Sequence, residues 1–306
     1  MPDEGAIVSL LPAATEILAA VGAWERVAGV THECDVPPQA QRLPRVTRSR
    51  VDGEQAAGAV DAQVRALAQA GESLFDLDER AIRALAPTLI VTQGLCEVCA
   101  VAEGEVHRLA RALSPVPRVE TLGARTLDEV LASIQALATA VDRADEGLEL
   151  VQGLRARMRR VHETLKRARA PRPRVAVLEW TDPPFAAGHW VPDMVRRAGG
   201  VDVLARAGDH SRVVEPSAVR DAAPDLLLVA PCGYPLSRAV HEARALLASP
   251  AWSWARGLPV AALDGNAFTA RPGPRVVDGI EVMARLFNPA LFSPLASGRG
   301  TLVTLD

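Results

Sequence analysis

The stretch AIRALAPTLIV at 81–91 aligns without a gap on AVRDAAPDLLL at 218–228. The two share alanine at 81 and 218, arginine at 83 and 220, Ala-Pro at 86 and 223, and leucine at 89 and 226. In each, a short helical pattern meets a proline, which cannot continue a helix, and then an apolar run of the kind that forms a buried strand. A helix feeding a buried strand is the repeating unit of a parallel sheet covered by helices. Its presence once in each half of the chain predicts two lobes of one design.

Working outward, short runs rich in Val, Ile and Leu predict further strands. In the first lobe they are AIVSLL (6–11), RVAGVT (26–31), PTLIVT (87–92) and RVETL (118–122); in the second, RVAVLEW (174–180), DLLLVAP (225–231) and VAALDG (260–265). Between the two sets, residues 126–170 carry apolar residues at helical spacing and no proline until PRP at 171–173. That spacing predicts one long helix, or two in line, as a stiff connector. The expected organisation is an α/β fold of two Rossmann-like lobes with parallel sheets: an N-terminal lobe over 1–125, the connecting helix over 126–170 and a C-terminal lobe over 171–306, with a ligand cleft between the lobes.

A chain of 306 residues is long for one core and comfortable for two. Aromatic content of 4% gives no stacking surface for nucleic acid, and a net charge of -3 gives no footprint for a phosphate backbone or an anionic membrane. The N-terminal stretch lacks the basic region of a signal peptide, and no window is apolar for the roughly 18 residues that a membrane span requires. The expectation is a cytoplasmic protein without membrane insertion, or a periplasmic or cell-surface one if a leader has been removed. Four cysteines do not make a disulfide scaffold at this size.

In parallel sheets, ligands bind beyond the carboxyl ends of the strands, where loops and helix N-termini converge. The chemistry-bearing residues of this chain follow strand ends: HECD (32–35), QGLCEVC (93–99), TDPPFAAGHW (181–190), CGY (232–234) and NAFTARPGP (266–274). His210 follows a weaker strand candidate and is left outside the expected site. His32, Cys34, Cys96 and Cys99 form H-x-C and C-x-x-C pairs, which supply the donor types of a tetrahedral zinc site. A zinc- or iron-binding protein or enzyme, with Glu33 or Glu97 as general base, is therefore one reading. A redox dithiol is a second, and buried cysteines acting as small hydrophobes are a third. The order HEC, with leucine before Cys96, does not match the zinc deaminase signature. Neither G-x-S-x-G, G-x-x-x-x-G-K-[ST] nor G-x-G-x-x-G occurs, so hydrolase and nucleotide-binding readings have no support.

The pattern of IVSLLPAATEILAAVGAWERVAGVTHECDVP, LAPTLIVTQ, a long inter-lobe helix and DPPFAAGHW resembles the helical-backbone substrate-binding proteins of cobalamin and ferric-siderophore importers, over about residues 6–292. THECDVP, LCEVCAV, LEWTDPPFAAGHWVPDMV, VAPCGY and RPGPRVVDGIE resemble, more narrowly, the cobalamin-binding protein branch. The resemblance implies non-catalytic binding of a cobalamin-like corrinoid or related metal chelate between the lobes. It implies contacts from His32, Glu33, Cys34, Cys96, Glu97, Cys99, Trp180, Phe185, His189, Trp190, Cys232, Tyr234, Phe268 and Arg271. It also implies delivery to an ABC permease docked through an acid on the equivalent helix of each lobe: Glu79 matches in the first, whereas Ser217 occupies the matching place in the second, with Glu215 two positions away as the substitute. A large, flat, apolar ring with amide-bearing rims suits aromatic walls with a few polar donors, and a His or Cys suits an axial metal position.

Overall fold

The apolar run after Gly5 becomes β1 (Ile7–Ser9), buried along its whole length. Pro12 then opens α1 (Pro12–Ala20) at its first position, where the fixed φ suits a helix and the missing N–H would have no partner anyway. The computed structural model describes residues 5–94, 103–294 and 299–303. It divides into two units: Met1–Ala124 with Glu129–Gln152, and Arg125–Asp128 with Gly153–Asp306.

The first unit continues through β2 (Val27–Val30), β3 (Thr47–Ser49), α2 (Ala57–Gln69), β4 (Phe75–Leu77), α3 (Glu79–Leu85), β5 (Leu89–Gln93), α4 (Glu103–Arg111) and β6 (Arg118–Leu122). A parallel sheet runs in the order β2-β1-β5-β6, while β3 and β4 pair antiparallel by themselves. All five residues of β5 are buried, as a strand covered on both faces requires. Val8, Ile82, Ile90, Val106 and Leu109 meet in one cluster, so α3 and α4 pack on the sheet through their apolar positions.

Residues 126–170 differ from the single run, or two collinear helices, that their composition suggests. They form α5 (Leu127–Ala140) and α6 (Ala144–Ala168), and Asp142 between them adopts a left-handed φ of 60°. The Arg143 N–H donates to Ala138 O at 2.8 Å across this residue, closing the end of α5. A Cβ on Gly147 would lie 2.4 Å from that of Ala138, so α6 starts back alongside α5. An aspartate does the work usually done by glycine here, which is why composition gives no warning of the turn. α6 runs through the division between Gln152 and Gly153.

The second unit contains β7 (Arg174–Thr181), β8 (Pro184–Ala186), α7 (Val191–Arg197), β9 (Val201–Asp202), β10 (Arg212–Val213), α8 (Pro216–Asp221), β11 (Leu226–Val229), α9 (Leu236–Ala248), β12 (Val260–Leu263), α10 (Gly265–Phe268), α11 (Val276–Phe287) and β13 (Gly300–Leu302). Its sheet runs β10-β8-β7-β11-β12-β13, with β9 also paired to β7. The central β7, β11 and β12 are parallel, whereas β8, β10 and β13 extend the edges antiparallel.

The repeat survives in detail. α3 leads into β5 and α8 into β11, and the alanine before each proline, Ala86 and Ala223, has a left-handed φ of 44° and 45°. L-residues avoid this region, and a following proline restricts the residue further. Two junctions with the same uncommon geometry mark one helix-to-strand unit used twice.

Candidate functional site

In the first unit the candidate residues follow β2. Cys34 is 1% exposed. Its Sγ lies 3.1 Å from Thr15 Oγ1 and 3.2 Å from Thr31 Oγ1, and Thr15 in turn donates to Ser9 Oγ at 2.8 Å. The thiol is thus held in a buried hydroxyl cluster at the carboxyl ends of β1 and β2. The Arg45 guanidinium donates to Thr31 O at 2.5 Å and to Cys34 O at 2.7 Å, fixing the loop. His32, half-buried, faces a different group: Nδ1 is 2.8 Å from Thr47 Oγ1 and the ring packs against Phe75 at 5.6 Å between centroids. Burial, and then the Arg45 charge, lower its pKa, so the ring is neutral at pH 7. Glu33 is exposed, with its N–H donating to Thr31 Oγ1 at 3.2 Å. Cys96, Glu97 and Cys99 lie outside the described residues. Among the described residues, no three His, Cys, Asp or Glu gather as a metal site would require.

In the second unit, Trp180 and Thr181 end β7, and Cys232 and Tyr234 follow β11. The Cys232 N–H donates to Glu179 O at 3.0 Å, tying the two strand ends together. Trp180 and Tyr234 pack at 5.0 Å between ring centroids, tilted by 52°. Arg238, one turn into α9, sits with Cζ 3.7 Å from the centre of the Tyr234 ring, a favourable placement of a cation over an aromatic face. Glu242, one turn further, accepts from Thr181 Oγ1 at 2.9 Å and lies 3.9 Å from Arg238. The result is a half-buried Trp180 ring backed by the enclosed Tyr234, which α9 braces in turn. Phe185, half-exposed on β8, is the cross-strand partner of Trp180 and extends its face.

His189 has a left-handed φ of 53°, held by its N–H donating to Asp209 O at 2.7 Å and its carbonyl accepting from the Gly208 N–H at 3.0 Å. Its ring stands edge-on to His210, with centroids 5.4 Å apart. The buried Nε2 has no hydrogen-bond partner among the described residues. Burial, the His210 ring and the Arg125 charge, in that order, lower its pKa. Gly188 makes this approach feasible, since a Cβ there would lie 2.5 Å from Asp209 O and from Ser211 N. Trp190, Phe268 and Arg271 are enclosed, at 5%, 6% and 5% exposure, as is Tyr234 at 5%. Trp190 Nε1 donates to Thr269 O at 3.0 Å, and Arg271 donates to Asn266 Oδ1 at 2.8 Å.

Arg238 and Glu242 are the residues of this region that sequence reasoning missed, and His210 is one that it weighed and left outside the site. The spacing Tyr-x3-Arg-x3-Glu over 234–242 carried the signal for the first two, because it stacks those side chains on one face of α9. Gly188 before His189 carried a weaker one for close backbone approach. Glu79 opens α3 and Glu215 is the N-cap residue of α8, so both exposed acids sit at the start of equivalent helices.

The chain is similar in fold to several solved binding proteins. A periplasmic heme-binding protein from Pseudomonas aeruginosa matches with a TM-score of 0.74 at 19% identity, covering 98% of both chains. The periplasmic heme-binding protein RhuT from Roseiflexus sp. RS-1 matches at 0.66 and 24% identity, over 94% of this chain and 99% of the other. The periplasmic vitamin B12 binding protein BtuF of Vibrio cholerae matches at 0.64 and 21%, over 94% and 98%. No curated protein matches. The family model described as periplasmic binding protein matches residues 7–255. The chain, a binding protein rather than an enzyme, belongs to the periplasmic binding protein family.

Proposed function

We propose that this protein binds a corrinoid or a related flat metal chelate without turning it over and presents it to an ABC permease. The observation that carries this reading is the half-buried Trp180 ring, backed at 5.0 Å by the buried Tyr234 ring that Arg238 braces, beside the carboxyl end of β7. The partly exposed Trp180 and Phe185 rings match a large planar ring, and His189, whose Nε2 is buried without a partner among the described residues, is of a residue type that would hold the metal of a chelate. Within the second unit, Trp190, Phe268 and Arg271 back the site and Cys232 lies beside it. Glu79 and Glu215 are the acids that a permease engages. The structural neighbours named for vitamin B12 and for heme support both kinds of macrocycle.

Purified protein titrated separately with hydroxocobalamin and with hemin tests this reading. The expected result is a shift of the corrin absorption bands and co-elution with hydroxocobalamin; an unshifted spectrum and no co-elution would remove it. Binding of hemin alone transfers the proposal to a tetrapyrrole iron ligand. Trp180→Ala should weaken binding by about tenfold or more, as loss of a buried aromatic contact does. Should His189 ligate the metal, His189→Ala moves the absorption maximum as well as the affinity. Metal analysis tests the other reading, since a stoichiometric zinc or iron without a macrocycle would favour the cysteine-histidine set.

A further inference from the structure

A second hollow, sharing no residue with the strand-end site, lies within the second unit between α6 and α11, with a volume of about 320 Å³. Arg157, Arg160 and Thr164 reach it from one face of α6, and Glu281 and Arg285 from α11; Ser293 and Arg299 complete its rim. Glu281 and Arg285 stand four residues apart on a helix, the spacing at which a carboxylate and a guanidinium ordinarily pair. Here the pairing is diverted. Arg157 occupies both oxygens of Glu281, Nε at 2.9 Å and a terminal nitrogen at 2.6 Å, and binds Asp278 as well. Arg285 is left without an acid. The guanidinium groups of Arg160, Arg285 and Arg299 make no hydrogen bond or ion pair with any described residue, and all three line the same hollow.

We infer that this hollow is an anion site for a small, multiply charged oxyanion of the phosphate or carboxylate type. Three guanidiniums around one opening repel one another, and an anion shared among them removes the repulsion while satisfying planar donors in pairs. The Thr164 and Ser293 hydroxyls add neutral donors, and the buried Val161 and Val282 close the base. The volume falls at the small end of the range for small-molecule pockets, roughly 300–1,000 Å³. On a chain with a net charge of -3, this convergence of cations is local rather than a general basic character.

The experiment is isothermal titration of the chain with inorganic pyrophosphate at low ionic strength, repeated with citrate, and needs no macrocyclic ligand. Saturable binding that weakens as salt is added is expected. Arg160→Gln and Arg285→Gln should each weaken it by about tenfold, as loss of one charge-assisted contact does. Arg143→Gln, remote in sequence and paired with Glu146 in the first unit, should leave it unchanged. Binding of pyrophosphate alone assigns a phosphate ligand, citrate alone a carboxylate ligand, and both a charge-selective oxyanion site. No heat with either anion, or equal affinity in Arg160→Gln and the parent, overturns the inference. Arg160 is exposed, so its replacement tests the site even if Arg285→Gln fails to fold.

Discussion

Asp202 Oδ1 accepts from the Leu204 and Ala205 N–H groups at 2.9 and 3.0 Å, while Oδ2 is buried without a partner among the described residues. Burial outweighs the two backbone donors and raises the pKa from 3.8 to about 6. A group raised in the folded state contributes stability that is complete below its unfolded value and is lost as pH rises through the folded one. Above pH 6 the carboxylate therefore works against the fold. Asp202→Asn should add about 1–2 kcal/mol at pH 7.5, part of the two-unit shift being offset by an amide with no acceptor. Urea midpoints at pH 7.5 and pH 4 check this, since the gain should vanish at the lower pH. His189 has the opposite sign. Its lowered pKa means that the unfolded chain takes up a proton first as pH falls below 6.5, so stability declines from there down to the folded value. His189→Asn, which keeps a side chain tolerant of the left-handed region, should flatten that decline in the same urea series. At Ala86 and Ala223 the expected effect is a gain: glycine relieves the left-handed strain, and each substitution should raise stability by up to about 1 kcal/mol in thermal melts.

Among the elements, α6 and α11 are joined by the half-buried Arg157 bound to Asp278 and Glu281. A bidentate, partly enclosed guanidinium contributes more than an exposed pair, and Arg157→Met should cost about 1–2 kcal/mol. Four of the five tryptophans lie in the second unit, so tryptophan fluorescence during urea unfolding reads that loss directly. α10 is set against the end of β11 through Gly265, where a Cβ would lie 2.1 Å from Pro231 O. Gly265→Ala must push α10 away and strain the bond from the Asn266 N–H to Tyr234 O, 3.1 Å long, so the Tyr234 backing of Trp180 loosens before the fold fails. Reduced ligand affinity with an unchanged circular dichroism spectrum is the expected signature. Legibility at this scale follows burial. β5, β7 and β11 show in the sequence because covered strands are continuous apolar runs. By contrast, β9 and β10 span only two residues each and β8 three, too short for any period to show. The turn at Asp142 was hidden for a different reason, since a left-handed aspartate leaves no compositional trace.

Across the whole chain, the two-unit α/β organisation is legible because it is written twice, down to the alanine and proline that end each helix. The candidate site is less so. Position after a strand does not separate the half-buried Trp180 from Tyr234, Trp190 and Phe268, which tertiary packing encloses. Cys34 reads as a metal ligand beside His32, yet the hydroxyls that surround it come from residues 15 and 31, and the first of these sits on a helix the local motif does not reveal. No helix among the described residues is long and apolar enough to cross a membrane.

That enclosed thiol also keeps time. An alkylating reagent reaches Cys34 only when β1, α1 and the loop after β2 part, so in a Cys96→Ser, Cys99→Ser, Cys232→Ser background its labelling rate counts those openings. Relative to the denatured chain, labelling should be slower by on the order of a thousandfold or more, and Thr15→Ala, which removes one of the hydroxyls at 3.1 Å, should quicken it. The first strand-helix unit thereby carries its own gauge of how often it comes apart.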